Sequence, residues 1–334
     1  MNKLIPHRIN LLFLMLIFAF LIPLVYRQSY FIHVLVLLMV WIILSESLNF
    51  ITGFAGQLAL GHAAFVTIGG YAGALLMLNN GWPFWTALLI GGAAAFISGL
   101  ILGLMSLRLR GDYLGMVTMG FGEIIRIVAI NEDSITRGPM GLPGVPRPSI
   151  FGHAFSGEVP FYFLGIILVV FTYFAIHRMI FSRFGRACLA LRDDESAASA
   201  MGIETYKYKV LAFCISSGFA GLAGVFYASW TSFFSPDAFQ LTDSIMMSVM
   251  ITLGGIGSLL GPIPGAIIIG ALPELLRPFT TGPNISDLRL AGVGLLMVLL
   301  LIVRPQGLAG MSMKPVYVSL EPIRRLFLPK PEAG

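Results

Sequence analysis

Apolar runs about as long as a bilayer is thick recur along this chain, and they exclude an ordinary soluble fold. A hydrocarbon core about 30 Å deep needs roughly 20 apolar residues per helix. Ten segments meet or approach that length: 9–26, 30–50, 58–79, 84–106, 113–130, 161–181, 208–230, 243–260, 262–277 and 287–303. Backbone polar groups find no water in lipid, so such runs become helices. The expected fold class is all-α, a polytopic transmembrane bundle of about ten spans. Composition agrees: 57% of residues are hydrophobic and 11% charged, where a soluble domain carries roughly 25% charge.

Two segments need comment. The run 9–26 follows Lys3 and Arg8 and resembles a signal peptide, but it lacks a small-x-small cleavage site and reads as an uncleaved first span. The run 262–277 is short and carries Pro262, Pro264 and Pro273. It reads as a broken or re-entrant helix beside a pathway, or as a kinked packing helix.

Basic residues orient the bundle. With the N-terminus inside, fifteen Lys and Arg fall on the inner side and five on the outer, with Arg126 inside a span. The expectation is N-in, C-in. The net charge of +5 does not indicate a nucleic-acid partner, because the bases are scattered between apolar runs. Cys188 and Cys214 offer neither a disulfide framework nor metal-ligand spacing. The chain holds no phosphate-binding glycine loop, no H-E-x-x-H and no G-x-S-x-G, so nothing marks it as an enzyme.

Small residues recur every fourth position at Gly91, Ala95, Gly99 and Gly103, and at Ala212, Ser216, Ala220, Gly224 and Ala228. That spacing keeps each row on one helix face, where close backbone approach holds helices together in lipid.

The outer segment 131–160 is rich in Gly and Pro and reads as a structured loop. The inner segment 182–207 contains one short helix. Asp193 or Asp194 caps its start, Glu195 favours its first turn, and Gly202 ends it. A helix of about two turns is unstable alone, so something must pack on it. Ala198 and Met201, with Ala197 beside them, form a small knob suited to a partner's groove. The alternative is a connector lying on the membrane surface.

Residues 49–73 are glycine-rich. Gly53, Gly56 and Gly61 interrupt the helix, while Asn49, Thr52, Gln57 and His62 place polar groups at the membrane edge. Non-helical backbone there survives only against protein or water, which makes the stretch a pathway or gate candidate. Gly254, Gly257, Ser258, Leu259 and Gly261 echo Gly53, Gly56, Gln57, Leu58 and Gly61 with one gap. Glu46, Glu123, Arg126 and Glu274 are charges within spans. Glu123 and Arg126 stand three apart and can pair; losing Glu123 alone would then strand Arg126. A structural ion pair and a contact to a passing substrate are both open.

Three stretches carry a family resemblance: LNFITGFAGQLALGHAAFVTIGGYAGALL, ALRDDESAASAMGIETYKYKVLAFCISSGFAGLAGVFYA and SIMMSVMITLGGIGSLLGPIPGAIIIGALPELLR. Together with TRGPMGLPGVPRPSIFG they resemble the branched-chain amino acid ABC transporter permeases, the LivM type in particular. The resemblance covers roughly 30–305, leaving 1–29 as tail and first span and 306–334 as a tail. It implies a bacterial inner-membrane importer subunit paired with a second homologous permease. Two ATPase subunits would grip Asp193, Asp194, Glu195, Ala197, Ala198, Met201 and Gly202, and a periplasmic or extracellular binding protein would meet the 131–160 loop. ATP and Mg would sit on the partners, with no cofactor on this chain. The loop departs by one residue from the E-A-A-x-x-x-G spacing of other importers. Related permeases carry other amino acids, urea or short amides. An ion-coupled transporter using Glu46, Glu123 or Glu274 is the competing class.

Overall fold

The computed structural model describes residues 28–276, apart from 106–108, 110, 151 and 152, together with 292, 294, 295, 298 and 308. The expected spans 9–26 and 287–303 lie outside the described stretch, as do most of the two expected tails.

Helix α1 (Ser29–Asn49) continues into a π-helical turn, Phe50–Phe54. Then come α2 (His62–Asn80), α3 (Phe84–Met105) and α4 (Asp112–Asn131). A loop follows with α5 (Asp133–Thr136), a 3-10 turn (Gly138–Met140) and the two-residue strands β1 (Leu142–Pro143), β2 (Ser149–Ile150) and β3 (His153–Ala154). The chain continues through α6 (Val159–Ile180), α7 (Arg183–Asp193), α8 (Glu195–Ala200) and α9 (Thr205–Thr231). Strand β4 (Phe233–Phe234), α10 (Leu241–Gly254) and α11 (Pro262–Leu276) complete the described order.

Six of these helices are long and apolar enough to cross a membrane: Ser29–Phe54, His62–Asn80, Phe84–Met105, Asp112–Asn131, Val159–Ile180 and Thr205–Thr231. The fold is therefore an all-α, multi-pass bundle. The segments expected as spans 243–260 and 262–277 hold two shorter apolar helices, α10 and α11, of 14 and 15 described residues. At 1.5 Å per residue α10 reaches about 20 Å, and a turn with Gly255 and Gly257 at positive φ separates it from α11, whose described residues end at Leu276.

Small residues set the packing. The Gly91–Gly103 row of α3 lies on α9: a Cβ on Gly99 would fall 2.0 Å from Ser217 Oγ, and one on Gly221 would fall 2.4 Å from Ala95 Cβ. The expected row on α9 faces elsewhere. A Cβ on Gly224 would fall 2.2 Å from the Val66 carbonyl of α2. Helix α9 thus carries two small-residue stripes, one against α2 and one against α3, and sits at the centre of the bundle. Cys214, Ala220, Ala223, Val225 and Phe226 are buried there.

The bundle has two distinct ends. At one, β1 pairs antiparallel with β4, Leu142 opposite Phe234, and Trp230 Nε1 donates to Glu158 at 2.7 Å. At the other lie the π-turn, α7, α8 and the 255–261 turn. Helix α7 was not expected from the sequence. It buries Gly185, Ala187, Cys188 and Leu191 on the bundle, with Cys188 packed in one cluster with Phe50 and Phe54.

Candidate functional site

The glycine-rich stretch does not break at Gly53. The i→i+5 bond from Ala55 N to Phe50 O, at 3.2 Å, carries the helix one residue too wide, and the chain becomes irregular only from Ala55. Such π-turns recur at functional sites. Gly61 then brings the backbone hard against α4: a Cβ there would fall 1.8 Å from the Thr118 carbonyl oxygen. Leu60 N donates to Thr118 Oγ1 at 2.9 Å, which satisfies an irregular amide inside the bundle.

The two echoing glycine stretches touch. Asn49, in the last turn of α1, uses both ends of its amide: Gly257 N donates to Oδ1 at 2.9 Å, and Nδ2 donates to the Ser258 carbonyl at 2.8 Å. A Cβ on Gly53 would fall 2.4 Å from Gly257 N, so the backbones meet without side chains between them. Gly56 and Gly257 have φ of +68° and +74°, in the left-handed region that glycine favours.

Arg192, at the end of α7, reaches this junction. Its Nη1 donates to the Gly53 carbonyl at 3.0 Å, across 139 residues of sequence. Its stem crosses Gly56, where a Cβ would fall 2.8 Å from Arg192 Cγ. Sequence reasoning had counted Arg192 only among the bases that orient the bundle.

His62 and Ser47 form a second buried pair. His62 Nε2 and Ser47 Oγ lie 2.7 Å apart, and Ser47 Oγ donates to the Leu44 carbonyl at 2.8 Å. A hydroxyl has one proton, so His62 Nε2 is the donor to Ser47. His62 Nδ1, both carboxylate oxygens of Glu46, both amide atoms of Gln57 and Thr52 Oγ1 are buried with no partner among the described residues. Glu46 is 3% exposed and lines a small cavity with Asn49, Phe54, Tyr173, Ile176, Leu259 and Pro262. Buried polar atoms are ordinarily paired. These atoms gather beside the π-turn, in the stretch read from the sequence as a pathway or gate candidate.

The remaining in-span charges are elsewhere. Arg126 Nη1 donates to Glu123 at 2.9 Å as expected, but Arg126 also donates to Asp237, from Nη2 at 2.9 Å and Nε at 3.1 Å. The group stands part-exposed toward the end of α4 that carries the long loop. Glu274 accepts from the Tyr30 hydroxyl, away from the glycine junction.

The short helix forms where the sequence placed it. Asp194 Oδ1 accepts from Ser196 N at 2.8 Å and Ala197 N at 3.0 Å, and Gly202 closes the end at φ +83°. Glu195 is tied to Lys209 of α9 at 2.5 Å. One expectation needs correction: Ala198 is 4% exposed and packs inward, so it cannot enter a partner's groove. The free face is Ala197, Ala200 and Met201, with Met201 84% exposed.

Residues 30–303 match the family described as branched-chain amino acid transport system / permease component. The chain belongs to that family. The permease is 40% identical over 299 residues to the high-affinity branched-chain amino acid transport system permease protein LivM of Escherichia coli K12, covering 83% of this chain and 69% of that one. It is 26% identical over 311 residues to the probable LivM of Methanocaldococcus jannaschii, covering 80% and 89%. It is 25% identical over 276 residues to the LivH permease protein of E. coli K12, covering 77% and 87%. The permease is thus of the LivM type and a transport subunit, with LivH a more distant relative.

Proposed function

We propose that the permease is one membrane subunit of an ATP-driven, binding-protein-dependent importer of branched-chain amino acids. A second, LivH-like permease would complete the pore, and two ATPase subunits carrying ATP and Mg would dock at the α7–α8 end. That end would face the cytoplasm in an N-in, C-in arrangement of about ten spans, in a bacterial inner membrane. The substrate-binding protein would meet the end carrying residues 131–160.

The observation that carries this reading is α8. It is a six-residue helix, capped at both ends and strapped to α9 through Glu195 and Lys209, yet it offers Ala197, Ala200 and Met201 to solvent. The chain itself seats this short helix through inward-packed Ala198 and the Glu195–Lys209 pair, and an exposed apolar tip on so rigid a strap suits a subunit interface. The relatives named LivM and LivH, both described as permease proteins of a high-affinity branched-chain amino acid system, support a paired pore. Binding of ATP would pull the two ATPases together, and α7 would carry that motion to the junction of Asn49, Gly53 and Gly257. The polar atoms of Glu46, Gln57 and His62 that have no partner among the described residues would offer donors and acceptors to an ammonium and a carboxylate in transit once that motion opened the junction.

Reconstitution tests the reading. Proteoliposomes holding both permeases and the ATPase should take up leucine only with ATP and binding protein, with urea and short amides as competitors to define the substrate. Uptake by the permease alone under a proton or sodium gradient would replace the reading with the ion-coupled one.

A further inference from the structure

The Arg192 side chain touches both glycine stretches from the α7 side. Its stem covers Gly56, and its guanidinium stands at Gly257, where a Cβ would fall 2.9 Å from Nη1. The same nitrogen donates to the Gly53 carbonyl at 3.0 Å. That carbonyl lies within the widened π-turn, one of the places where helical backbone groups depend on outside donors. On its other side the guanidinium is gripped by Asp193, with Nη2 to Oδ1 at 3.1 Å and Nε to the same oxygen at 3.3 Å. The next residue, Asp194, is the N-cap of α8. One continuous path therefore runs from the exposed Met201 tip through α8, Asp194, Asp193 and Arg192 to both glycine loops.

We infer that Arg192 is a positioning residue for transport, the pin that makes the Gly53 and Gly257 loops follow α8. Three features fit a pin better than an ordinary surface base. Glycines at 53, 56 and 257 keep backbone close to the arginine, and a Cβ at 56 or 257 would strike it. The planar, five-donor guanidinium holds the Gly53 carbonyl and the Asp193 carboxylate from separate nitrogens in a fixed fork, where a lysine would have to serve both from a single rotating ammonium. Asn49 locks the second loop to α1 independently, so Arg192 is not needed to bring the loops together. It is placed to move them as a unit when α8 moves.

This assignment rests on the docking of α8 proposed above, and the experiment separates the two. The intact complex, with both permeases, ATPases and binding protein, is reconstituted with Arg192→Gln, Arg192→Lys or the parent sequence. Leucine uptake and ATP hydrolysis are measured together. A Met201→Cys cross-link to the ATPase reports docking, and maleimide labelling of Ile256→Cys, which is 51% exposed, reports the second loop. A pin predicts that R192Q keeps the cross-link and its ATP hydrolysis. Leucine moved per ATP falls by about tenfold, the scale of one lost charged hydrogen bond, and Ile256→Cys labelling no longer responds to ATP. R192K, which keeps the stem over Gly56, falls between. If uptake and hydrolysis drop by the same factor in R192K, or if neither changes in R192Q, the pin is overturned. A missing cross-link in the parent complex would instead defeat the docking reading.

Discussion

Asn49 and Ser258 stand 209 residues apart in sequence and are joined by a 2.8 Å hydrogen bond from the Asn49 amide to the Ser258 carbonyl. The same side chain accepts from Gly257 N, so one residue fastens the end of α1 to the turn between α10 and α11. The two backbone groups it holds are buried at the end of the bundle, so that fastening helps the turn hold its shape.

Asn49→Leu leaves the Gly257 N–H and the Ser258 carbonyl buried and unpaired. Each such group costs about 1–3 kcal/mol. The variant should insert in the membrane yet unfold several degrees lower in detergent, read by a thermal-shift assay. An unchanged midpoint would mean that the clamp carries no stability.

Gly61 and Gly120 make a matched pair. A Cβ at Gly61 meets the Thr118 carbonyl at 1.8 Å, whereas one at Gly120 meets nothing within 4 Å. Backbone cannot yield as a flexible side chain does. Gly61→Ala should therefore abolish the monodisperse peak in size-exclusion chromatography. Gly120→Ala should be neutral, or stabilising by up to about 1 kcal/mol, since alanine is the better helix former.

Glu123→Ala does not strand Arg126, because Asp237 still holds two of its nitrogens. Part-exposed pairs of this kind contribute about 0.2–1 kcal/mol. Asp237→Ala should cost more than Glu123→Ala, and a double-mutant cycle with Arg126→Gln should give the larger coupling to Asp237. Equal couplings would place the arginine midway between the two carboxylates.

Burial pushes the Cys188 thiol from 9.0 up to about 12. The proton stays on in the folded protein where the unfolded chain would lose it. Cys188 therefore adds no pH dependence below about pH 9, and stability falls as pH rises above that, since the folded state then holds more protons. Maleimide should leave Cys188 unmodified at pH 8 until the protein is denatured, read by intact-protein mass spectrometry. Labelling of the native protein would show that α7 opens.

The sequence foretold what depends on local pattern. Run length and composition marked the six described helices that are long and apolar enough to cross a membrane, and Asp193 or Asp194 with Gly202 bounded α8 because capping chemistry is local. The resemblance between Gly53–Gly61 and Gly254–Gly261 was visible too, but that the two stretches touch was not. Arg192 reaching Gly53, Asp237 reaching Arg126, and Ser47 meeting His62 are tertiary pairings with no signature in spacing. Ala198 was assigned to the free face of α8 by its helical position. Which face of a two-turn helix points outward is set by how α9 receives it, through Lys209, and not by the six residues themselves. Hydropathy also read on through the glycine turn, so the expected segment 243–260 runs past the end of α10 at Gly254.

Sidedness with docking is the most direct test, using two methionines exposed to nearly the same degree, Met140 at 83% and Met201 at 84%. Each is changed to cysteine in cells and offered a membrane-impermeant maleimide, with and without the ATPase subunits. Met140→Cys should label from outside in every case. Met201→Cys should label only after permeabilisation, and the ATPase should shield it. Labelling of Met201→Cys on intact cells, or full labelling with the ATPase bound, would contradict the account.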